Sequence, residues 1–263
     1  MRPPPTYEGG RPGAAERLRF ARIARADSTV LNPLDARHLN DVITALRLED
    51  HARVIDIGCG RGEFLLRLAQ RRRVLGYGID AEEDNVRTAS RAAAQRVPEA
   101  TLVLQHGDAR ALNRDATYDL AVAMGAREAT GGYRDALRWL AGLVGARGEI
   151  VVGEGYWKAA PNARLLESLG FCETELPTLC SMLDAARSAG LVHRMTIETG
   201  ADVHDRYYRV RWANCVRYAW RHPSNPDVPA LLAWSRAERE RHFRLGGRRE
   251  LGFGVFVFSK SAC

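Results

Sequence analysis

Between residues 53 and 152, five short runs of strand-forming residues recur with helix-patterned segments and glycine-bearing joints between them. This pattern limits what the chain can fold into more than any other feature. Arg53-Val-Ile-Asp-Ile-Gly58 is β-branched and ends on glycine, so it reads as a strand. Residues 62–72 return to helical spacing, with Phe64, Leu65, Leu68 and Ala69 on one face. Val74–Ile79 reads as a second strand and 82–95 as a second helix. Leu102–Gln105 and Tyr118–Met124 read as strands three and four, 132–144 as a helix, and Glu149–Val152 as strand five. Strands joined through helices cannot close as hairpins. They need crossovers, which give a parallel sheet covered on both faces.

The flanks extend this plan. Residues 1–13 are rich in Pro and Gly and read as a disordered tail. Residues 14–47 hold two helices, 14–26 and 34–47, parted by Pro33, with Asp35 near the start of the second. The core then runs over 48–200, adding a helix at 178–189 and a sixth strand at Val192–Glu198. Residues 201–249 read as two helices, near 204–221 and 227–244, split by His222-Pro223-Ser-Asn-Pro226. Such an insertion suits a helical cap. Residues 250–263 return to the core, with Leu251–Ser259 as the last strand. The expected fold class is α/β and Rossmann-like: a seven-stranded, mostly parallel sheet, helices on both faces, and a cap before the final strand.

Composition removes several classes. No segment approaches the roughly 18 apolar residues of a membrane span. The opening MRPPPTYEGGRPG lacks the apolar centre of a signal peptide, so a cytoplasmic location and no membrane partner are expected. The cysteines (59, 172, 180, 215, 263) form no CxxC pair, which argues against disulfides and structural zinc. Histidines show no HxxxH spacing, so no metal is expected. The net charge of +7 invites a polyanionic partner, but it is local. Residues 201–250 carry 11 Arg against 6 acids, whereas the first 200 carry 27 basic against 26 acidic residues. Since 37 of the 39 basic residues are Arg, the choice of Arg itself reflects a compositional skew.

The chemistry concentrates in Val54-Ile55-Asp56-Ile57-Gly58-Cys59-Gly60-Arg61-Gly62. Glycines after a first strand allow a tight turn and close backbone approach to a ligand. A dinucleotide fingerprint would place Gly at 63, where Glu63 stands, and a carboxylate there would oppose a pyrophosphate. GxxxxGK[ST] is absent, which removes the P-loop. Asp56, inside the strand, needs backbone donors or a cationic ligand. Asp80, closing the second strand, is suited to a ribose diol. Asp108, after the third, is suited to an adenine amine. Together they describe a nucleoside with a cationic tail and no phosphate, for which S-adenosylmethionine is the natural candidate.

VIDIGCGRG, YGIDA, HGDA and TYDLAVAMG resemble, in order and spacing, the cofactor motifs of class I S-adenosylmethionine-dependent methyltransferases. The resemblance implies that Gly58, Cys59, Gly60 and Gly62 line the methionine part, with Asp56 beside them. It also implies that Asp80 and Ala81 hold the ribose, that Gly107, Asp108 and Ala109 meet adenine, and that Met124 and Gly125 approach the methionine or the acceptor. LNPL (31–34), MGAREATGG, GEGYWKAAP, DRYYRVRW and LGFGVFVF resemble a bacterial small-molecule-type subfamily of these enzymes.

Acceptor-side candidates are Glu128, Glu154, Tyr156 and Tyr208 as catalytic groups, and Trp157, Tyr207 and Trp212 as acceptor contacts. Tyr208 and Trp212, i,i+4 apart, also suit plain helix packing. The cap arginines either face solvent or recognise an anionic acceptor. The expected activity is in-line methyl transfer to a small molecule by a monomer or homodimer. A nucleic-acid methyltransferase and a non-catalytic S-adenosylmethionine binder are the alternatives. Strand four ends Met-Gly-Ala rather than [DN]PP[FYW], so no nucleic-acid partner is expected.

Overall fold

The computed structural model describes residues 13–112, 117–170 and 172–260. All of the expected tail except Gly13, and also Cys263, fall outside them. In chain order the elements are α1 (Ala14–Ala24), α2 (Ala36–Ala45), β1 (Ala52–Ile57), α3 (Glu63–Ala69), β2 (Val74–Asp80), α4 (Glu83–Arg96) and β3 (Thr101–His106). Then come β4 (Tyr118–Met124), α5 (Arg127–Thr130), α6 (Tyr133–Leu143), β5 (Val144–Trp157), α7 (Ala163–Leu169), α8 (Leu179–Ser188) and β6 (Leu191–Glu198). The last are α9 (Ala201–Arg221), α10 (Val228–Phe243), α11 (Gly247–Glu250) and β7 (Leu251–Lys260). They divide into a sheet unit (29–158, 176–199, 252–263) and a helical unit (1–28, 159–175, 200–251).

The sheet has seven strands in the order β3-β2-β1-β4-β5-β7-β6. Neighbours from β3 through β5 pair in parallel, and β6 runs antiparallel to β7. Side chains alternate between two cores, as the period of two along a strand requires. Ile55, Ile57, Ala121, Ala123, Ile150 and Val152 face one core, closed by Leu137 and Leu140 of α6 and Met182 of α8. Val54, Leu120, Val122, Val151 and Val255 face the other, closed by Leu39 and Val42 of α2 and Phe64 and Leu65 of α3. The strand order reverses between β1 and β4, so a crevice is expected at the carboxyl ends of these strands.

The helical unit has its own small core of Phe20, Ala24, Cys215, Ala230 and Leu231. The Asn214 side chain donates to the Ala24 carbonyl at 3.0 Å, tying α9 to α1. Arg211 is buried and chelates Glu238 of α10, with Nη2 at 2.8 and 2.6 Å from its two oxygens.

Three features differ from the sequence expectation. α1 belongs with α9 and α10 rather than with α2. The segment 159–175, expected within the core over 48–200, joins the helical unit instead and contains α7, capped by the Asn162 side chain on the Leu165 N–H. β5 runs from Val144 to Trp157 rather than over 149–152. Gly145, Gly148 and Gly153 mark close packing rather than strand ends. A Cβ at Gly148 would lie 2.5 Å from the Val144 Cβ, and one at Gly153 would lie 3.1 Å from the Met124 side chain.

Candidate functional site

β1 stops at Ile57 because the next turns need left-handed backbone. Gly58, Gly60 and Gly62 have φ of +67°, +56° and +72°, where a β-carbon is strained. Space closes the argument at Gly58, whose Cβ would sit 2.8 Å from that of Ala126. The amides of Gly58 and Cys59 both donate to the Ile79 carbonyl, at 2.8 and 3.0 Å, and the loop is thereby pinned to the end of β2.

Asp80 sits at that end and is held in place. Its Oδ2 accepts from the Gly60 amide at 2.8 Å; Oδ1 accepts from the Glu82 amide at 2.9 Å and from Asn85 Nδ2 at 3.1 Å. A carboxylate offers about four acceptor directions, so Oδ2 retains one for a ligand hydroxyl. The Gly107 amide donates to the Asp80 carbonyl at 3.0 Å, and His106 Nε2 lies 3.2 Å from the Ala81 carbonyl. The glycine loop, Asp80, Ala81 and Gly107 therefore gather along one end of the sheet.

Asp56 is buried on β1. Burial, and then the nearby Asp80 charge, push its carboxyl well above the ordinary range. Burial likewise raises the Cys59 thiol, with Asp56 and Asp80 adding to the effect, so Cys59 stands as a neutral apolar group.

Two acids differ from expectation. Glu63 does not face a ligand at the mouth of α3. It is buried against Arg67 and Arg96, each at 2.6 Å, and its charge is spent there. Its presence therefore does not oppose a diphosphate electrostatically. Asp108 is half exposed, and both oxygens bind Arg110, with Nη2 at 2.7 Å from Oδ2 and Nε at 2.9 Å from Oδ1. Hydrogen bonding from Arg110 holds this carboxyl below the usual range. An adenine amine would have to share Asp108 with that guanidinium. Ala109 is buried behind it.

At the end of β4, Gly125 takes φ +70° and donates to the Gly153 carbonyl at 2.7 Å. Asn32 closes this turn: its Nδ2 donates to the Met124 carbonyl at 2.9 Å, and a Cβ at Gly125 would lie 2.4 Å from its Oδ1. Asn32 had no role in the sequence reading, although it lies in the noted LNPL stretch. On β5, Glu154 is buried; burial raises its carboxyl against the opposing pull of the Gly155 amide and Arg127. The Tyr133 hydroxyl is buried with no hydrogen-bond partner among the described residues, and burial with the Glu154 charge raises it too. Tyr133 had no role in the sequence reading, which took 132–144 as a helix and went no further.

The remaining candidates are dispersed. Tyr156 donates its hydroxyl to Glu198 on β6 and is buried, which makes it a strut between strands rather than a free acid or base. Trp157 is buried and its amide donates to the Pro177 carbonyl at 2.8 Å. Glu128 lies on α5, and its side chain is outside the described part of the structure. Tyr207, Tyr208 and Trp212 belong to the helical unit. Tyr208 stacks on His242 at 4.3 Å, Tyr207 lies under Arg211 at 5.2 Å and Trp212 under Arg239 at 4.4 Å. Among the described residues, no three His, Cys, Asp or Glu side chains gather as a metal would need, and no helix is long and apolar enough to cross a membrane.

Residues 54–145 match a family described as a methyltransferase domain. The chain is 24% identical to the uncharacterized protein YjhP of Escherichia coli over 91% of its own length and 97% of that protein's. A crystal structure of an S-adenosylmethionine-dependent methyltransferase from Geobacter sulfurreducens, in complex with S-adenosyl-L-homocysteine, is similar with a TM-score of 0.86 and 26% identity, over 92% of this chain and 98% of that one. One from Thiobacillus denitrificans, in complex with the same compound, has a TM-score of 0.85 and 27% identity over the same shares.

Proposed function

We propose that this chain, a class I S-adenosylmethionine-dependent methyltransferase carrying its methyltransferase domain at residues 54–145, methylates a small-molecule acceptor. The observation that carries the cofactor assignment is Asp80, fixed at the end of β2 by the Gly60 amide with an acceptor direction to spare. The solved relatives that contain S-adenosyl-L-homocysteine support it. In this reading the loop from Gly58 to Gly62 and Asp56 hold the amino-acid part, Asp80 and Ala81 hold the ribose, and Gly107 to Ala109 meet the base. S-adenosylmethionine supplies a methyl group already activated on a sulfonium. The chain's own task is therefore mainly alignment.

Met124 and Gly125, braced by Asn32, form one wall near the acceptor. Glu154 and Tyr133 are the acid–base groups for an acceptor that carries a proton, since burial raises both and Glu154 then holds a proton more readily. The Met-Gly-Ala turn after β4 supports a small acceptor over a nucleic-acid base.

The test is calorimetry with S-adenosylmethionine, S-adenosyl-L-homocysteine and NAD. The first two are expected to bind and NAD is not. Asp80→Ala is expected to weaken S-adenosylmethionine by about 1–3 kcal/mol, the cost of stranding hydrogen-bonding partners. Unchanged affinity would remove the ribose assignment. Cell extract incubated with methyl-labelled cofactor, read by mass spectrometry, then identifies the acceptor; label found only in RNA or DNA would overturn the small-molecule reading.

A further inference from the structure

The helical unit contains a cavity of about 660 Å³ whose lining includes Asn162, Arg164, His242, Arg244, Arg248 and Arg249. That volume lies in the range of sites for metabolite-sized ligands. The four arginines come from α7, from the C-terminal cap of α10 and from α11. Selecting Arg over Lys carries no weight in a chain so biased toward Arg. The convergence of guanidiniums on one concave wall does, because like charges brought together repel unless something offsets them.

The carboxylates at the wall do not offset all of them. Asp205 is buried and accepts from His242 Nε2 at 2.8 Å and from Arg248 Nε at 3.1 Å. Glu250 is buried and accepts from the Asn162 amide at 2.9 Å and from Arg249 Nη2 at 2.8 Å. Burial alone would raise both acids, but these hydrogen bonds bring them below the ordinary range. Two anions thus face four guanidiniums. Arg164 and Arg244 pair with no carboxylate among the described residues. Arg164 also stands in the first turn of α7, where the helix dipole disfavours a cation. The wall is stiffened from behind: Asn162 caps α7, donates to the Leu245 carbonyl at 2.7 Å and holds Glu250.

We propose that this cavity binds a small anionic molecule, bearing a carboxylate or a phosphate, with Arg164 and Arg244 as its principal charge partners. Guanidiniums meet either group through paired N–H donors. The proposal goes beyond the methyltransferase reading and stands without it.

The experiment titrates the full-length protein with inorganic phosphate and, separately, succinate, followed by calorimetry and by NMR of the histidine ring protons. Saturable one-to-one binding of at least one probe is expected; which one binds tells phosphate from carboxylate. Arg164→Ala and Arg244→Ala are each expected to weaken it about tenfold, the equivalent of one charge-assisted contact. Both are exposed, so the variants are expected to keep their fold and their S-adenosylmethionine affinity. Saturable binding that survives the double substitution, or no saturable binding of either probe, would overturn the proposal. Displacement of the probe by a single-stranded RNA that binds more tightly would overturn the small-molecule assignment. Failure of S-adenosylmethionine binding with phosphate binding intact would instead sink the methyltransferase reading alone.

Discussion

Asp56 shows how one residue carries conflicting demands. It lies inside a central strand, 2% exposed, facing another carboxylate. The fold gains nothing from a charge there, whereas a sulfonium or ammonium ligand would. Its folded pKa lies above the unfolded value, so its protonated form is the one the fold favours. That contribution is complete below about pH 4 and is lost as the pH rises through the folded value. Asp56→Asn is therefore expected to stabilise the ligand-free protein at pH 7, because a neutral amide escapes the loss that the raised carboxyl suffers there. The gain should vanish below about pH 4, and S-adenosylmethionine affinity should fall. Urea titrations at the two pH values check this; a variant less stable at pH 7 would refute it. Glu63, Asp108 and Tyr156 teach a related lesson. Each engages a side chain, Arg96, Arg110 and Glu198 respectively, so a ligand at Asp108 would share it with Arg110. Arg96 lies 33 residues from Glu63 and Glu198 lies 42 from Tyr156, where no local pattern points to them; only Arg67, one helical turn after Glu63, is a local partner.

At the scale of elements, the alternation of strands and helices was legible because each amphipathic helix shows its face within one window. β4 was read to its ends, since Leu120–Met124 is an unbroken apolar run that ends at a turn. β5 was read short because Gly145, Gly148, Gly153 and Gly155 look like breaks, although the strand runs through all four and the first three permit close neighbours. α7 was missed because seven residues are too few for periodicity to speak. Its existence depends on Asn162, which caps it and also binds Glu250 and the Leu245 carbonyl. Asn162→Ala removes a cap and the Nδ2 donor to Glu250, which keeps its bonds from the backbone N–H of residue 162 and from Arg249, so a loss of stability of about 1–2 kcal/mol is expected. Glu250 titrates below its ordinary value, so its support is full above about pH 4.5 and fades as the pH falls through the folded value. The variant should lose part of this acid dependence. Thermal melts across pH 3 to 8 would show it, and an unchanged profile would contradict the role given to Asn162.

For the whole molecule, the net charge of +7 is a property of the helical unit's sequence more than of the sheet. If its arginines serve a small anion, RNA should bind only as any basic surface binds it. An affinity of about 10⁻⁶ M or weaker at physiological salt is expected, falling steeply with added salt; a tight, salt-resistant complex in a filter-binding assay would argue for a polynucleotide acceptor. The topology has a further consequence, in time rather than in space. β7 lies between β5 and β6, yet it follows both in the chain, with all of α9, α10 and α11 coming first. A ribosome therefore releases β5 with its outer edge bare, and β6 with no neighbour to pair with, while three helices are still being made. Unpaired strand edges attract other chains. The nascent protein thus carries its greatest risk of aggregation late in synthesis, and the arrival of Leu251–Lys260 ends it.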